Sequence, residues 1–159
     1  MENLLRNVNS SPKISNCLKI CSYFSVIFSV CAYIWLLVQR YSVSRLDAVL
    51  LILASGIPFV TVSIFRKLFN APRPYQIYDF YEKKPKSKLG SSFPSRHVFS
   101  IFLIGTLMLE ASLPLSVILF LFGILLSVCR VLLGMHFIRD VLTGALVGIL
   151  SGVIGILVL

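Results

Sequence analysis

Five runs of apolar residues limit what this chain can fold into more than any other feature of its sequence. A run of about 20 apolar residues is what an α-helix needs to cross the hydrocarbon core of a bilayer. Inside that core a span must satisfy its own backbone hydrogen bonds, so helices are expected. The predicted spans are Ile20–Val38, Leu46–Phe65 with a kink at Pro58, Ser95 to the residue before Pro114, Leu115–Leu133, and Val141–Leu159.

The composition agrees with a membrane protein. Hydrophobic residues make up 57% of the 159 residues and charged residues 13%, whereas soluble domains have about 45–50% and 25%. We expect a single all-α domain over residues 1–159, a polytopic bundle of five or six helices, with a polar tail at 1–19 and a loop at 66–94. No signal-peptide cleavage site follows the first run, which is expected to remain as a span.

Alternation of the spans places nearly all polar side chains at one membrane face. The N-terminus, the loop 66–94 and the junction 130–140 fall on one side, and the turns at 39–45 and 110–114 on the other. Of fifteen Lys and Arg residues, only Arg40 and Arg45 fall on the second side, which leaves thirteen on the first. The predicted chemistry is therefore concentrated at one face.

The net charge of +9 has a different meaning here from its meaning in a soluble protein. The basic residues cluster at the ends of spans, which favours lipid headgroups or a phosphorylated substrate over nucleic acid as the partner. The four cysteines, at 17, 21, 31 and 129, show neither metal-ligand spacing nor a disulfide framework. We interpret them as small apolar side chains.

The first polar cluster follows the second apolar run, in the sequence FRKLFNAPRPY. Arg66, Lys67 and Arg73 lie close together in the chain. They form either a phosphate-binding group or a belt of basic side chains at the lipid interface.

The second polar cluster opens the third apolar run, in the sequence FPSRH. Ser95 is a good helix N-cap, and Arg96 and His97 would lie in the first turn. The free N–H groups and the positive dipole end of such a helix bind phosphate well. The histidine could protonate a leaving oxygen; alternatively, this is an ordinary capped helix with an interfacial histidine.

The third polar cluster lies between the fourth and fifth apolar runs. Arg130 falls inside an apolar run, where a charge is costly and indicates function. Gly134 can end the fourth helix, which leaves His136 in the turn and Asp140 at the start of the fifth helix. A carboxylate that orients a histidine makes a nucleophile or a base. In the alternative, Asp140 is only a helix-start residue paired with Arg139.

Together, the clusters supply cations, a helix N-terminus, two histidines and a carboxylate, which suit a phosphate with a nucleophile and an acid. A metal site is not expected, because the surrounding arginines would repel a cation. A P-loop is not expected either, because no glycine-rich Walker pattern is present.

In these motifs the sequence resembles the type 2 phosphatidic acid phosphatase superfamily of membrane lipid phosphatases, whose active site is related to that of vanadium haloperoxidases. The family signature is Lys, six residues and Arg-Pro; then Pro-Ser-Gly-His; then Ser-Arg, five residues, His, three residues and Asp. The matching segments are 66–74, 94–97 and 129–140. Their order and spacing match, and the resemblance covers about 66 to 140.

The resemblance implies a role for each matching residue. His136 would attack phosphorus and form a phosphohistidine, Asp140 would orient His136, and His97 would protonate the leaving group. No metal or other cofactor is implied. The phosphate oxygens would be bound by a larger set: Arg66 or Lys67, Arg73, Ser95 and Arg130. Arg96, which is not part of the signature, could bind a second phosphate.

Three positions depart from the signature. Arg66 stands where the family has Lys, and Lys67 is one residue out of register. Arg96 replaces Gly and adds charge at the pocket. Cys129 replaces Ser and removes a hydroxyl donor.

We therefore expect a small membrane lipid-phosphate phosphatase acting on polyprenyl diphosphate, phosphatidate or phosphatidylglycerol phosphate. Two alternatives remain: a lipid phosphotransferase that uses the same intermediate, and a non-catalytic lipid-phosphate binder. The family implies a site on the extracytoplasmic face, in a bacterial cell membrane. The many basic residues on that side, with Lys83, Lys84, Lys86 and Lys88 among them, instead favour the cytoplasmic face.

Overall fold

The computed structural model describes residues 5, 8, 10–79, 81 and 90–159, and its secondary structure in this part of the chain is helical throughout. Of the helices whose bounds lie in the described residues, five have 12 residues or more, and a single-turn helix and a 3₁₀ turn lie between them; residues 5, 8 and 10 are also helical. In chain order they are α1 (Pro12–Val43), α2 (Arg45–Phe69), α3 (Pro74–Ile77), α4 (Arg96–Leu107), the 3₁₀ turn Met108–Glu110, α5 (Leu113–Leu132) and α6 (Ile138–Val158).

Four of the five predicted spans form helices that are long and apolar enough to cross a membrane, as counted over the described residues: α1, α2 with the segment up to Ile77, α5 and α6. The predicted all-α membrane bundle is therefore confirmed. Helix α1 begins at Pro12, eight residues before the predicted span, so part of the predicted polar tail is helical. Proline suits a first helical turn because its missing N–H would have no partner there.

The third predicted span is much shorter than expected. Helix α4 has 12 residues, which gives a length of about 18 Å, and the 3₁₀ turn extends it only to Glu110. All nine residues from Val98 to Leu107 other than Ser100 are buried. A helix that is apolar on every side is typical of a bundle centre. Because its neighbours enclose it, α4 does not need to match the bilayer thickness itself.

Helix α6 lies directly against α4 along a row of glycines, Gly144, Gly148, Gly152 and Gly155. A Cβ atom on Gly148 would lie 2.5 Å from the Phe99 carbonyl oxygen, and one on Gly144 would lie 2.7 Å from the Ser95 carbonyl oxygen. The glycines contact α4 residues in the same order along the two helices, so α4 and α6 run parallel. Small residues at this spacing let helix backbones approach closely in membranes.

The outer surfaces of α1, α2, α5 and α6 carry many exposed large apolar side chains, such as Ile27, Val60 and Leu121. A bilayer covers such a surface. The buried face of α1 consists mainly of small residues: Ser22, Ser25, Ser29 and Ala32, with Leu36. The Ser25 and Ser29 hydroxyls donate to backbone carbonyls of the preceding turn, at 2.8 Å each, so they cost little inside a membrane helix.

The helices run between two ends of the bundle. At one end, named here the site end, α2 stops and α4 and α6 begin; the Ser95 N–H donates to the Asp140 carbonyl there, at 2.9 Å. At the far end, Arg40 of α1 forms an ion pair with Glu110. This arrangement agrees with the predicted alternation. Lys83, Lys84, Lys86 and Lys88, which entered the argument about orientation, lie outside the described residues.

Candidate active site

Backbone and side-chain hydrogen bonds bring the three polar clusters together at the site end. Arg66, at the end of α2, donates through its two terminal nitrogens to the carbonyls of Pro94 and Ser91. Arg73 donates through Nε to the Gly90 carbonyl at 3.0 Å. The first cluster therefore holds the loop that leads into α4.

The turn that carries His136 depends on Gly134. Helix α5 ends at Leu132, and Gly134 follows with a positive φ of 65°, as the sequence predicted for a helix end. A Cβ atom at this position would lie 2.5 Å from the ring of Tyr81. The N–H of His136 donates back to the Arg130 carbonyl at 3.3 Å. The turn thus folds His136 into the bundle, where only 2% of it is exposed.

Asp140 is fully buried beside His136. Its Oδ2 accepts hydrogen bonds from the Ser92 hydroxyl and from the Phe137 N–H at 2.9 Å, and it lies 3.6 Å from His136 Nδ1. Its other oxygen, Oδ1, lies 3.6 Å from Nε of Arg139, a largely exposed side chain. The carboxylate therefore lies in the first turn of α6, next to Arg139, and it also faces the imidazole. Both interpretations of Asp140 from the sequence, as a partner of His136 and as a helix-start residue paired with Arg139, describe part of its environment.

Burial lowers the pKa of His136 below its ordinary value of 6.5, and the positive charges of Arg73 and Arg66 lower it further, while Asp140 opposes the shift. The imidazole is therefore neutral at neutral pH. With Nδ1 facing Asp140, Nε2 is the nitrogen left with a lone pair. A neutral, oriented imidazole of this kind can act as a nucleophile.

Two buried donors at the site end have no hydrogen-bond partner among the described residues: the Ser95 hydroxyl and Nε of Arg130. The Arg130 side chain also lines a small pocket beside Ser22 and Tyr23 of α1. Ser95 lies at the N-cap position of α4, as predicted, but its side chain makes no capping bond. Unsatisfied buried donors are costly in a folded protein. Their cost would be offset by an anion, and a phosphate offers several acceptor oxygens.

The basic residue of the first cluster that turns toward the site is Arg66 and not Lys67. Arg66 is 8% exposed, whereas the neighbouring Lys67 is exposed on the outside of α2. Its two terminal nitrogens already donate to backbone carbonyls, so Arg66 braces the loop before α4. Arginine suits this position because its planar fork can reach two acceptors at once.

Arg96 and His97 lie in the first turn of α4, as predicted, but they line a separate cavity between α1, α2 and α4. The Arg96 guanidinium lies 5.4 Å from the centre of the Phe59 ring, and its Nη1 lies 3.5 Å from the Ser63 hydroxyl. Arg96 thus faces α2. His97 remains close enough to Arg130 and His136 for their charges to act on it.

Sequence reasoning missed Ser92. This residue is fully buried, its hydroxyl donates to Asp140, and its Oγ lies 3.4 Å from Nδ1 of His136. Three serines stand within five residues in this loop, and nothing in the sequence distinguishes the one that meets the carboxylate. The sequence analysis also missed the glycine spacing in α6, although small residues at four-residue intervals are a signal of close helix packing in membranes.

Among the described residues, no three His, Cys, Asp or Glu side chains come close enough together to hold a metal ion. The arrangement instead combines a neutral histidine, a buried carboxylate, several arginines and a helix N-terminus. Such a set can bind a phosphate, attack it and stabilise the charge that develops.

Comparisons with known proteins agree with this arrangement. The model of a family described as the PAP2 superfamily matches residues 45–159. The crystal structure of Aquifex aeolicus LpxE is similar, with 28% identity and a TM-score of 0.71 over 97% of this chain and 93% of that one. A PAP2-type phosphatidylglycerolphosphate phosphatase from Bacillus subtilis shares the fold, with 20% identity and a TM-score of 0.70 over 97% of this chain and 81% of that one. No curated protein sequence gives a significant match.

Proposed function

The chain belongs to the PAP2 superfamily, and we propose that it is a lipid-phosphate phosphatase that works through a phosphohistidine on His136 and requires no metal ion. The substrate is a phosphomonoester or diphosphate of a lipid: polyprenyl diphosphate, phosphatidate or phosphatidylglycerol phosphate. The similarity to membrane PAP2 structures and the four long apolar helices make it a multi-pass membrane protein.

One observation carries this proposal: a buried, neutral histidine and its carboxylate lie at the same end of the bundle as Arg66, Arg73 and Arg130. Phosphoryl transfer depends mainly on positioning and on stabilising negative charge. The guanidinium groups supply the positive charge that stabilises it, at the depth where a lipid headgroup would reach a membrane protein.

The first step forms the covalent intermediate. Nε2 of His136 attacks phosphorus, the N–P bond forms, and the bond from phosphorus to the lipid oxygen breaks. His97, which takes up a proton once the phosphate anion lies beside it, gives that proton to the lipid oxygen, so the lipid leaves as an alcohol. Asp140 holds Nδ1–H of His136 and stabilises the positive charge that develops on the ring.

The second step releases phosphate. His97, now neutral, accepts a proton from water as the water oxygen attacks phosphorus. The N–P bond breaks, inorganic phosphate leaves, and His136 returns to its neutral form. Arg73, Arg130, Ser95 and the N–H groups at the start of α4 bind the phosphate oxygens through both steps.

The proposal also includes the membrane face on which the site lies. We assign the site end to the extracytoplasmic face of a bacterial cell membrane, because the family implies that face and because Arg66, Arg73 and Arg130 belong to the proposed site and do not count in the positive-inside argument. Lys83, Lys84, Lys86 and Lys88 do count, and they argue for the opposite face. Labelling of a cysteine introduced at position 85 from outside intact cells would support this orientation. Labelling only after the cells are opened would reverse it.

The decisive experiment measures phosphate release by the detergent-purified protein from the three lipid substrates. We expect release by the wild type, none by His136→Ala, and wild-type rates for Arg45→Gln, which removes an exposed charge at the far end. Transfer of phosphate to an added alcohol in place of water would identify a phosphotransferase. Tight binding of every lipid phosphate without release would identify a binder and overturn the proposal.

A further inference from the structure

A cavity of about 440 Å³ lies between α1, α2 and α4 and begins at the first turn of α4. Most of its wall is apolar, with Val26, Ile52, Phe59, Leu103 and Ile104 among the lining residues. Along α4 it extends from Arg96 to Ile104, which is about 12 Å of helix rise. Val30, Ile52 and Phe59 are each about half exposed, so the cavity opens sideways toward the bilayer. Its length and lining suit a hydrocarbon chain.

His97 connects this cavity with the proposed phosphate site. It lines the cavity and lies within electrostatic reach of His136 and Arg130. In the proposed reaction His97 protonates the leaving oxygen. A lipid in the cavity would therefore present its phosphate to His136 and its leaving group to the side where Arg96 lies.

Arg96 is the one permanently charged side chain among the described residues that line the cavity. Its recorded partners are neutral, the Phe59 ring and the Ser63 hydroxyl, and no carboxylate in the described part of the chain pairs with it. Arg96 is exposed at the start of α4, where a long arginine side chain reaches the polar interface of the bilayer, and its charge is available to a ligand there. An anion on the leaving-group side would compensate it.

From this geometry, and on the basis of the proposed function, we infer that Arg96 binds the second phosphate of a lipid diphosphate, the phosphate that stays on the lipid. The lipid chain lies in the cavity between α1, α2 and α4. His136 attacks the terminal phosphorus, and the bond to the bridging oxygen breaks. The products are a lipid monophosphate and, after hydrolysis of the phosphohistidine by water, inorganic phosphate.

The role of Arg96 has a chemical consequence. A lipid alcohol is a poor leaving group and needs a proton, whereas a phosphate leaves as an anion. Arg96 would stabilise that anion through a charge-assisted hydrogen bond. Loss of such a bond costs about 1.5–3 kcal/mol, which corresponds to a rate loss of roughly 10- to 150-fold. A monophosphate substrate has no group at this position and should be little affected.

The test compares farnesyl diphosphate with farnesyl monophosphate, which share one chain. In Arg96→Gly, the residue of the family signature, kcat/KM for the diphosphate should fall about 10- to 100-fold, and that for the monophosphate by less than about threefold. Arg96→Lys should retain part of the activity and also serves if the glycine variant misfolds. Arg45→Gln is the charge-matched control. Equal losses on both substrates, or no loss on either, would overturn the proposal.

Two further measurements test separately whether the lipid chain and Arg96 contribute to binding. Inorganic diphosphate carries the same charge without a chain, so rates on it equal to those on farnesyl diphosphate would exclude the cavity as the binding site. Binding of farnesyl methylenediphosphonate, which cannot be hydrolysed, tests Arg96 even if no lipid phosphate is turned over. Weaker binding to Arg96→Gly is expected, and unchanged binding would contradict the assignment independently of the proposed function.

Discussion

The Ser92 hydroxyl donates a hydrogen bond to Oδ2 of Asp140, the same oxygen that faces His136 at 3.6 Å. The carboxylate is thus shared between the histidine and a loop from the other side of the site. Ser92 is itself fixed to the end of α2, because its N–H donates to the Ala71 carbonyl at 2.9 Å. The position of the proposed nucleophile therefore depends on a residue outside the family signature.

We expect Ser92→Ala to lower kcat/KM by about 10-fold, in line with the loss of a hydrogen bond to a charged group. It should also shift the pH profile. Burial holds the pKa of His136 below 6.5, so activity should persist below that pH in the wild type. Without Ser92 the carboxylate is freer to stabilise the imidazolium, so the acid limb should move to higher pH.

The measurement is kcat/KM against pH for the wild type and for Ser92→Ala. A uniform loss of activity with an unmoved acid limb would mean that Ser92 only supports the loop. Ser92→Thr, which keeps the hydroxyl, should recover part of both effects.

Replacement of His136 and replacement of His97 should affect turnover differently. His136→Ala should lose turnover with every substrate, because no phosphohistidine can form. His97→Ala should lose about 10²- to 10⁴-fold on a lipid monophosphate, but much less on p-nitrophenyl phosphate, whose anion leaves without a proton. Labelling with a phosphorus-32 substrate, quenched in alkali because the N–P bond is acid-labile, reports the intermediate. Label in His136→Ala and none in His97→Ala would reverse the assignment.

Arg66 and Lys67 offer a matched pair of neighbouring cations. Arg66→Gln should lower activity by about 100-fold or more, because it releases the loop held through Ser91 and Pro94 and leaves the buried Pro94 carbonyl and the part-buried Ser91 carbonyl without these donors. Lys67→Gln should change kcat by less than about twofold, since the side chain is exposed. Comparable losses in both variants would show that the charge of this segment matters and not its contacts.

The glycine row predicts a difference in stability. Gly148→Ala places a methyl group against the Phe99 carbonyl and should destabilise the protein by about 1–3 kcal/mol, with loss of activity as α4 shifts. Gly56→Ala is the control, because no atom lies within 4 Å of the added Cβ, and it should be neutral or stabilising by up to about 1 kcal/mol. Thermal unfolding in detergent measures both. An unchanged midpoint for Gly148→Ala would refute the close helix contact.

Metal removal tests the source of the positive charge. If arginines and the start of α4 supply all of it, EDTA should leave turnover unchanged, and vanadate should inhibit by taking a five-coordinate form at His136. Activity that returns only with an added divalent ion would contradict the mechanism. Dialysis against EDTA followed by rates with and without Mg²⁺ is sufficient.

Much of this fold follows from the sequence, and the exceptions have identifiable causes. Hydropathy placed α1, α2, α5 and α6 because bilayer-facing helices must be long and apolar. The same criterion overestimated the length of the third helix, because the length of an apolar run does not distinguish a helix enclosed by other helices from one that faces lipid along its whole length. Motif spacing placed His136 and Asp140 on one turn, which is a local relationship.

The long-range relationships could not be obtained in this way. The choice between Arg66 and Lys67 depends on the direction in which α2 faces the bundle, and a run that is apolar on every side carries little information on that direction. Ser92 and Asp140 are 48 residues apart, and only the packing of the loop before α4 brings them together. Arg96 was expected to bind a second phosphate, which stays a prediction, but its direction toward α2 depends on the packing of α4 and could not be obtained from the sequence.

The close contact between α4 and α6 divides the molecule into a part whose residues tolerate substitution and a part whose residues do not. The glycines of α6 bring no side chain to that contact and lie directly against the α4 backbone at Ser95 and Phe99. Any substitution of these glycines would therefore push the two helices apart and change the relative height of Ser95 and Asp140. Helices α1 and α2 meet the cavity through side chains such as Val30 and Phe59, which can be exchanged one at a time. If the cavity holds the lipid chain as proposed, substitutions on the α1 and α2 walls should change which lipid is accepted while the residues of the candidate active site stay in place.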